Sequence, residues 1–213
     1  MKTLIQYIDE KLIVNQRFDE KLVINKDFVD TELDEIKATD DNLFDVVVAE
    51  VHKQSGKGQS RLHPINLNHI DVSEITEMSC LFDAVNVEVT LRYIDISEWD
   101  VGNVERMKWM FCGAEELISV GDLSNWYFTD KLNTLRGMFA YCHKLDFIGD
   151  ISNWNVSNVG NFNRMFKECR SLTNVGNLNK WKIIENASKR DMFLDSAIKK
   201  IPKWYDRNKD EII

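Results

Sequence analysis

The stretch Ile94–Leu117, IDISEWDVGNVERMKWMFCGAEEL, decides the fold, because the same phrase returns along the chain in degraded form. Aligned on their phenylalanines, the copies have anchors at Phe82, Phe111, Phe139, Phe166 and Phe193, separated by 29, 28, 27 and 27 residues. Leu81, Met110, Met138, Met165 and Met192 immediately precede these anchors; Ile70, Trp99, Trp154 and Trp181 stand twelve residues before theirs and Trp126 thirteen. A period of this length marks a stacked repeat array. The text around the tryptophans is shared as well: Asp95 to Trp99, Asp122 to Trp126, Asp150 to Trp154 and Asn177 to Trp181 follow one pattern.

A single copy cannot bury its own apolar face. Stacking copies in register puts Trp on Trp and Phe on Phe, so the core extends along one axis. Each aromatic side chain buries roughly 150–250 Å², so the anchors and the tryptophans supply most of that core. A stripe of Met and aromatic residues repeating in register is what a stacked interior requires, in preference to a cofactor box.

The phrase D-I-S-x-W-x-V-x-N-V followed by M-x-x-M-F-x-x-C-x-x-L resembles the repeat of the BspA-like, leucine-rich-repeat-related bacterial proteins, a family common among surface lipoproteins and also found in phage-encoded proteins. The resemblance covers roughly residues 67–202. It implies an α/β fold: a right-handed solenoid of about five coils, each a short parallel strand plus helical turns, behind a small α/β cap at the amino end. It also implies adhesion or recognition, since architecture rather than chemistry holds that family together. On this reading residues 1–60 are the amino-terminal segment and cap, 61–202 the repeats and 203–213 the closing tail.

Composition narrows the function classes. An apolar fraction of 44% with 29% charged residues is ordinary for a globular chain. The formal charge of −8 argues against nucleic acid, which is bound largely through Lys and Arg on phosphates, and against an anionic membrane surface. The opening MKTLIQYIDEKLIV carries Asp9 and Glu10 and no uninterrupted apolar core, so it reads as neither a secretory signal nor a membrane span. A cytoplasmic or virion-associated location is expected. Cys80, Cys112, Cys142 and Cys169 lie inside the repeat text and are expected to be reduced and buried, behaving as small hydrophobes.

Residues 9–28 hold a second repetition, DEKLIVNQRF followed by DEKLVINKDF, either two amphipathic strands or a duplicated motif that a partner reads. The start also loosely resembles the capsid-targeting peptides of tailed-phage internal head proteins, with Ile8-Asp9-Glu10 as the cleavage site. Leu33-Asp34-Glu35 and Ile75-Thr76-Glu77 fit the same pattern. Leu33 and Ile36 suggest a brief solvated helix within 28–41, and Val46-Val47-Val48 predicts a buried strand over 42–52. QSGKGQ at 54–59 is a turn, lacking the rest of a phosphate-loop motif. Residues 104–117 are expected to be helical or a string of tight helical turns, and 117–126 to hold one strand pairing in parallel with its neighbours.

No catalytic or metal-ligating pattern is present. His52, His63, His69 and His143 share no ligand spacing with one another or with a cysteine pair, so no cofactor and no enzymatic activity are expected. Asp95, Asp122 and Asp150 repeat in register. Side-chain to backbone hydrogen bonds at a turn explain this better than a ladder of cation sites. What remains is a protein-binding surface. Between the columns of Leu117 and Val120 lie the outward pair Ile118 and Ser119, with Leu91 and Arg92, Asp146 and Phe147, and Thr173 and Asn174 as equivalents. Exposed Leu91, Ile118 and Phe147 would form an apolar patch for a partner, unless the amino-terminal segment covers it. The chain thus reads as a non-enzymatic recognition module, or alternatively as a virion or cargo protein addressed by its first residues.

Overall fold

The computed structural model describes residues 35–56, 58–83 and 89–206. Contacts divide the chain into residues 1–34 and 35–213, and everything below belongs to the second unit.

The repeat phrase builds two columns of aromatic rings. Phe82, Phe111, Phe139, Phe166 and Phe193 stack with centroid separations of 5.1, 5.3, 5.9 and 5.7 Å and nearly parallel planes. Trp126, Trp154, Trp181 and Trp204 stack at 6.1, 6.4 and 6.4 Å. A buried indole needs an acceptor for its N–H, and each finds one in the preceding copy: Nε1 of Trp99, Trp126, Trp154, Trp181 and Trp204 donates to the carbonyl of Leu67, Ile96, Leu123, Ile151 and Leu178 respectively. Ile70 opens this column, its N–H reaching Leu67 as the later tryptophans reach their own copies. Trp204, expected in the closing tail, instead continues the column, and Tyr205 sets its ring edge-on to Phe193 at 5.0 Å.

Two sets of parallel pairings join consecutive copies in chain order. On one side β2 (Ile65–Asn66) pairs with β4 (Ile94–Asp95), and single bridges continue from Tyr93 to Ser119 and from Ser119 to Phe147. On another, bridges run from Glu77 through Arg106, Thr134 and Asn161 to Ser188. The expected parallel strand is present but is reduced to one or two residues per copy.

Residues 104–117 contain no α-helix; the tight-turn alternative is the one observed. The reason lies in the backbone two residues before and two after Phe111, Phe139, Phe166 and Phe193, where the chain turns left-handed. Trp109 (φ 61°), Tyr141 (63°), Arg164 (60°), Glu168 (61°), Asp191 (56°) and Asp195 (56°) adopt this conformation alongside Gly113 and Gly137. A left-handed residue every few positions redirects N–H groups away from their own turn. Those of Met107, Trp109, Phe111 and Gly113 donate to the carbonyls of Thr134, Arg136, Met138 and Ala140 in the next copy, and the following copies repeat the scheme.

A cap closes the amino-terminal end of the repeats. The strand expected over 42–52 is an α-helix, α1, over Leu43–Ser55. Its buried residues Leu43, Val47, Glu50 and Val51 fall at helical spacing, and packing of that stripe outweighs the modest helix penalty of three valines. Glu50 is tolerated inside because His69 Nε2 lies 3.1 Å from one carboxylate oxygen and Lys53 Nζ donates to the other at 3.0 Å. The helix expected within 28–41 is also corrected, as far as it falls in the described residues. Ile36–Lys37 forms β1, parallel to β3 (Ile70–Asp71), and leads to the fully buried Ala38.

Asp40 ties this cap to the repeats by accepting from the Thr76 hydroxyl at 2.6 Å and from the N–H of Thr76 and Glu77 at 2.8 and 3.2 Å. Partial burial pulls its pKa up, but these donors outweigh that and hold it below the ordinary carboxylate value. A group with a lowered folded pKa stabilises above its unfolded value, and that contribution disappears as pH falls through the folded one. Asp40→Asn is therefore expected to lower stability near pH 7 by about 1 kcal/mol or less. The difference from wild type should close below about pH 4. Urea titrations at pH 7 and pH 3 check this, and a gap that persists in acid contradicts it.

Candidate interaction face

On the face outside the first ladder two outward residues stand between successive buried ones, as Ile118 and Ser119 do between Leu117 and Val120. Leu117, Leu145 and Leu172 are buried, and so is Leu91, at 6% exposure. Leu91 is thus the counterpart of Leu117, not of Ile118, and cannot contribute to an exposed patch. The bridges fix the correction: Tyr93 pairs with Ser119 and Ser119 with Phe147. The outward rows are therefore Arg92, Ile118, Asp146 and Thr173, and beside them Tyr93, Ser119, Phe147 and Asn174. A signal for this was present in the sequence. Gly121-Asp122, Gly149-Asp150 and Gly176-Asn177 share a glycine that the copy with Ile94-Asp95 lacks, so counting back from Trp99 slips by one residue and exchanges inside for outside.

Among the residues expected on this face, Arg92 and Asn174 are exposed, Ile118 and Ser119 half-buried, and Phe147 41% exposed. Tyr93, missed in the sequence, lies between them. The loop before β2 closes over the same surface. Gln59 fixes it through the carbonyl of Thr90 (2.9 Å) and the N–H groups of Arg92 and Tyr93 (2.7 and 3.2 Å). Arg61 then reaches both carboxylate oxygens of Asp146 at 2.5 and 2.6 Å, with its guanidinium 6.0 Å from the Tyr93 ring centroid. Beneath it lies a cleft of about 190 Å³ walled by Arg61, Pro64, Tyr93, Ser119 and Phe147. That is below the roughly 300–1,000 Å³ of a small-molecule pocket. The ion pair is exposed and contributes little on its own. Ile8, Asp9 and Glu10 lie outside the described residues, as does the segment suggested as a cover for this face.

The aspartate column has a local task. Asp71, Asp95, Asp122 and Asp150 each accept from the N–H two residues on, at 2.9–3.0 Å, and Asn177 repeats this at 3.2 Å. These contacts open single 3₁₀ turns at Leu123–Asn125, Ile151–Asn153 and Leu178–Lys180. The Ser152 hydroxyl and N–H hold Asp150 below its ordinary pKa. Among the described residues no group of three or more His, Cys, Asp or Glu is placed to hold a metal ion.

Of the four cysteines, expected buried, two are. Cys142 and Cys169 occupy the same column, and each thiol donates to a carbonyl of the preceding copy, Phe111 and Phe139, at 3.0 Å. Cys80 and Cys112 fall in other columns and are half-buried. Burial raises all four thiols, that of Cys112 to about 11. At pH 8 few thiolates are present, and only the thiolate is nucleophilic. Iodoacetamide should thus modify Cys80 and Cys112 slowly in the native protein, spare Cys142 and Cys169, and modify all four after denaturation. Rapid native modification of Cys142 would contradict this packing.

The sequence matches, over residues 53–146 and 76–204, a family described as "Mycoplasma protein of unknown function, DUF285". The chain belongs to this family. The two matches overlap across the best-formed copies, and together they take in the repeats from the end of α1 to Trp204, so DUF285 in this chain is the repeat region itself. No curated protein and no solved structure matches the chain. Among the described residues no helix is long and apolar enough to cross a membrane.

Proposed function

We propose that the chain is a solenoid recognition module that acts without catalysis, binding a partner protein across its strand face. The observation that carries this reading is one continuous outward surface contributed by consecutive copies, in which Tyr93, Ser119 and Phe147 are joined by backbone bridges and Phe147 is exposed. Solenoids bind through such equivalent positions on neighbouring coils. The stacked aromatic columns and the parallel pairings support a leucine-rich-repeat-like solenoid, and the repeat text supports a BspA-like affiliation within the wider family. The DUF285 match adds no activity to this.

Site-specific photocross-linking tests the proposal. A benzophenone side chain introduced at position 147 should capture one predominant protein in the native cell. The more exposed Tyr127, 69% accessible, serves as the control position. Capture from 147 alone, abolished by Ile118→Asp, is the expected result. Identical products from 147 and 127 would overturn it.

A further inference from the structure

The left-handed positions flanking each Phe need only backbone freedom, and glycine meets that need at Gly113 and Gly137. Bulky side chains disfavour this conformation, yet Trp109 and Tyr141 occupy two of the equivalent places, half-buried on the outside of the second ladder. Their rings are held in place. Trp109 lies so close over Gly137 that any Cβ there would overlap the indole. The Arg136 guanidinium stands 5.3 Å from the Trp109 ring, and Lys167 Nζ 5.5 Å from that of Tyr141.

The cations on this surface divide into two kinds. Arg106 pairs with Glu77 at 2.5 Å, Arg164 with Asp191 at 3.2 Å and Arg170 with Glu168 at 2.6 Å. Lys108, Arg136 and Lys167 have no carboxylate partner among the described residues, and the buried Arg136 Nε has no acceptor at all. A chain of net charge −8 therefore carries, among the described residues, three cations without a carboxylate partner, two of them beside aromatic rings.

We propose that the ribbon formed by Lys108, Trp109, Arg136, Tyr141 and Lys167 is a second docking surface, one that takes a carboxylate-rich peptide segment of a partner protein. Its carboxylates neutralise the three cations, and its apolar side chains lie against the two rings. Charge complementarity selects an acidic occupant. Nucleic acid fits less well, because tight phosphate binding uses roughly 6–10 contacts and the carboxylates of Glu77, Glu168 and Asp191 interrupt the ribbon.

The test uses the full-length chain and a fluorescein-labelled twelve-residue peptide alternating glutamate with serine and phenylalanine, followed by anisotropy. Saturable binding is expected, weakened at least tenfold by Lys108→Glu with Lys167→Glu and weakened by added salt. Phe147→Asp, on the other face, should leave it unchanged. Lys108→Ala, which removes only an exposed side chain, should weaken binding several-fold without shifting the melting temperature, so that loss of affinity is separable from loss of fold. Absence of saturable binding, indifference to the lysine variants, or tighter binding of a twelve-nucleotide single-stranded DNA would each overturn the proposal.

Discussion

Trp154→Ala is expected to destabilise the protein by about 3–5 kcal/mol, the usual loss for deleting a packed aromatic. Trp154 stacks between Trp126 and Trp181, meets Phe128 edge-on at 5.0 Å, and is 3% exposed. Its removal opens a void in the middle of the column and takes the indole N–H, at 2.9 Å, from the carbonyl of Leu123, which keeps only the Trp126 N–H. Trp154→Phe separates the two effects: it keeps most of the ring area and loses the hydrogen bond, which contributes about 0.5–1.5 kcal/mol. Equilibrium urea unfolding measures both. An alanine variant within 1 kcal/mol of wild type would show that this column is not a packed interior.

Gly176→Ala should be the second most damaging single change considered, at about 2–3 kcal/mol, although it adds one methyl group to a half-buried turn. Gly176 has φ +85°, where an L side chain costs roughly 1–2 kcal/mol. Its missing Cβ would also overlap the Asp150 carboxylate and the Ser152 hydroxyl of the preceding copy. Moving Asp150 removes its contact with the Ser152 N–H, and losing a turn-capping acceptor of this kind costs about 1 kcal/mol. Gly121 and Gly149 face Asp95 and Asp122 in the same way, which accounts physically for the repeated Gly-Asp text. Gly160→Ala is the control: its added Cβ would meet only the Asn133 carbonyl at 4.0 Å, at an ordinary φ. It is expected to be neutral or slightly stabilising. Equal losses at both glycines would remove the Asp–Gly contact from the account.

The parts of this architecture legible in the sequence are those where every copy solves the same problem with the same residue. Trp and Phe fill identical spaces at each level, so their period exposed both columns and the interior place of Cys142 and Cys169. Trp204 escaped because no Phe anchor follows it among the described residues. The left-handed turns were hidden for a related reason: only Gly113 and Gly137 display the conformational demand, while Cys80, Trp109, Tyr141 and four charged residues meet it without a glycine. At α1, intrinsic preference and packing disagree. Three consecutive valines favour a strand, but the stripe of Leu43, Val47, Glu50 and Val51 suits a helix laid on the end of the repeats. On the candidate face one absent glycine before Asp95 moved Leu91 from the core to the surface in the sequence reading. Arg61 and Tyr93 were out of reach altogether, since Arg61 and the Asp146 it pairs with stand 85 residues apart in the sequence.

The proposal of a strand-face recognition module is tested most directly by the double variant Tyr93→Asp, Phe147→Asp, assayed against the protein captured from position 147. Outward positions contribute little to packing, so unfolding should stay within about 0.5 kcal/mol of wild type. Affinity for the captured partner should fall at least a hundredfold, as it does when aromatic anchors at an interface centre are removed. A folded variant that binds the partner as tightly as wild type would contradict the account.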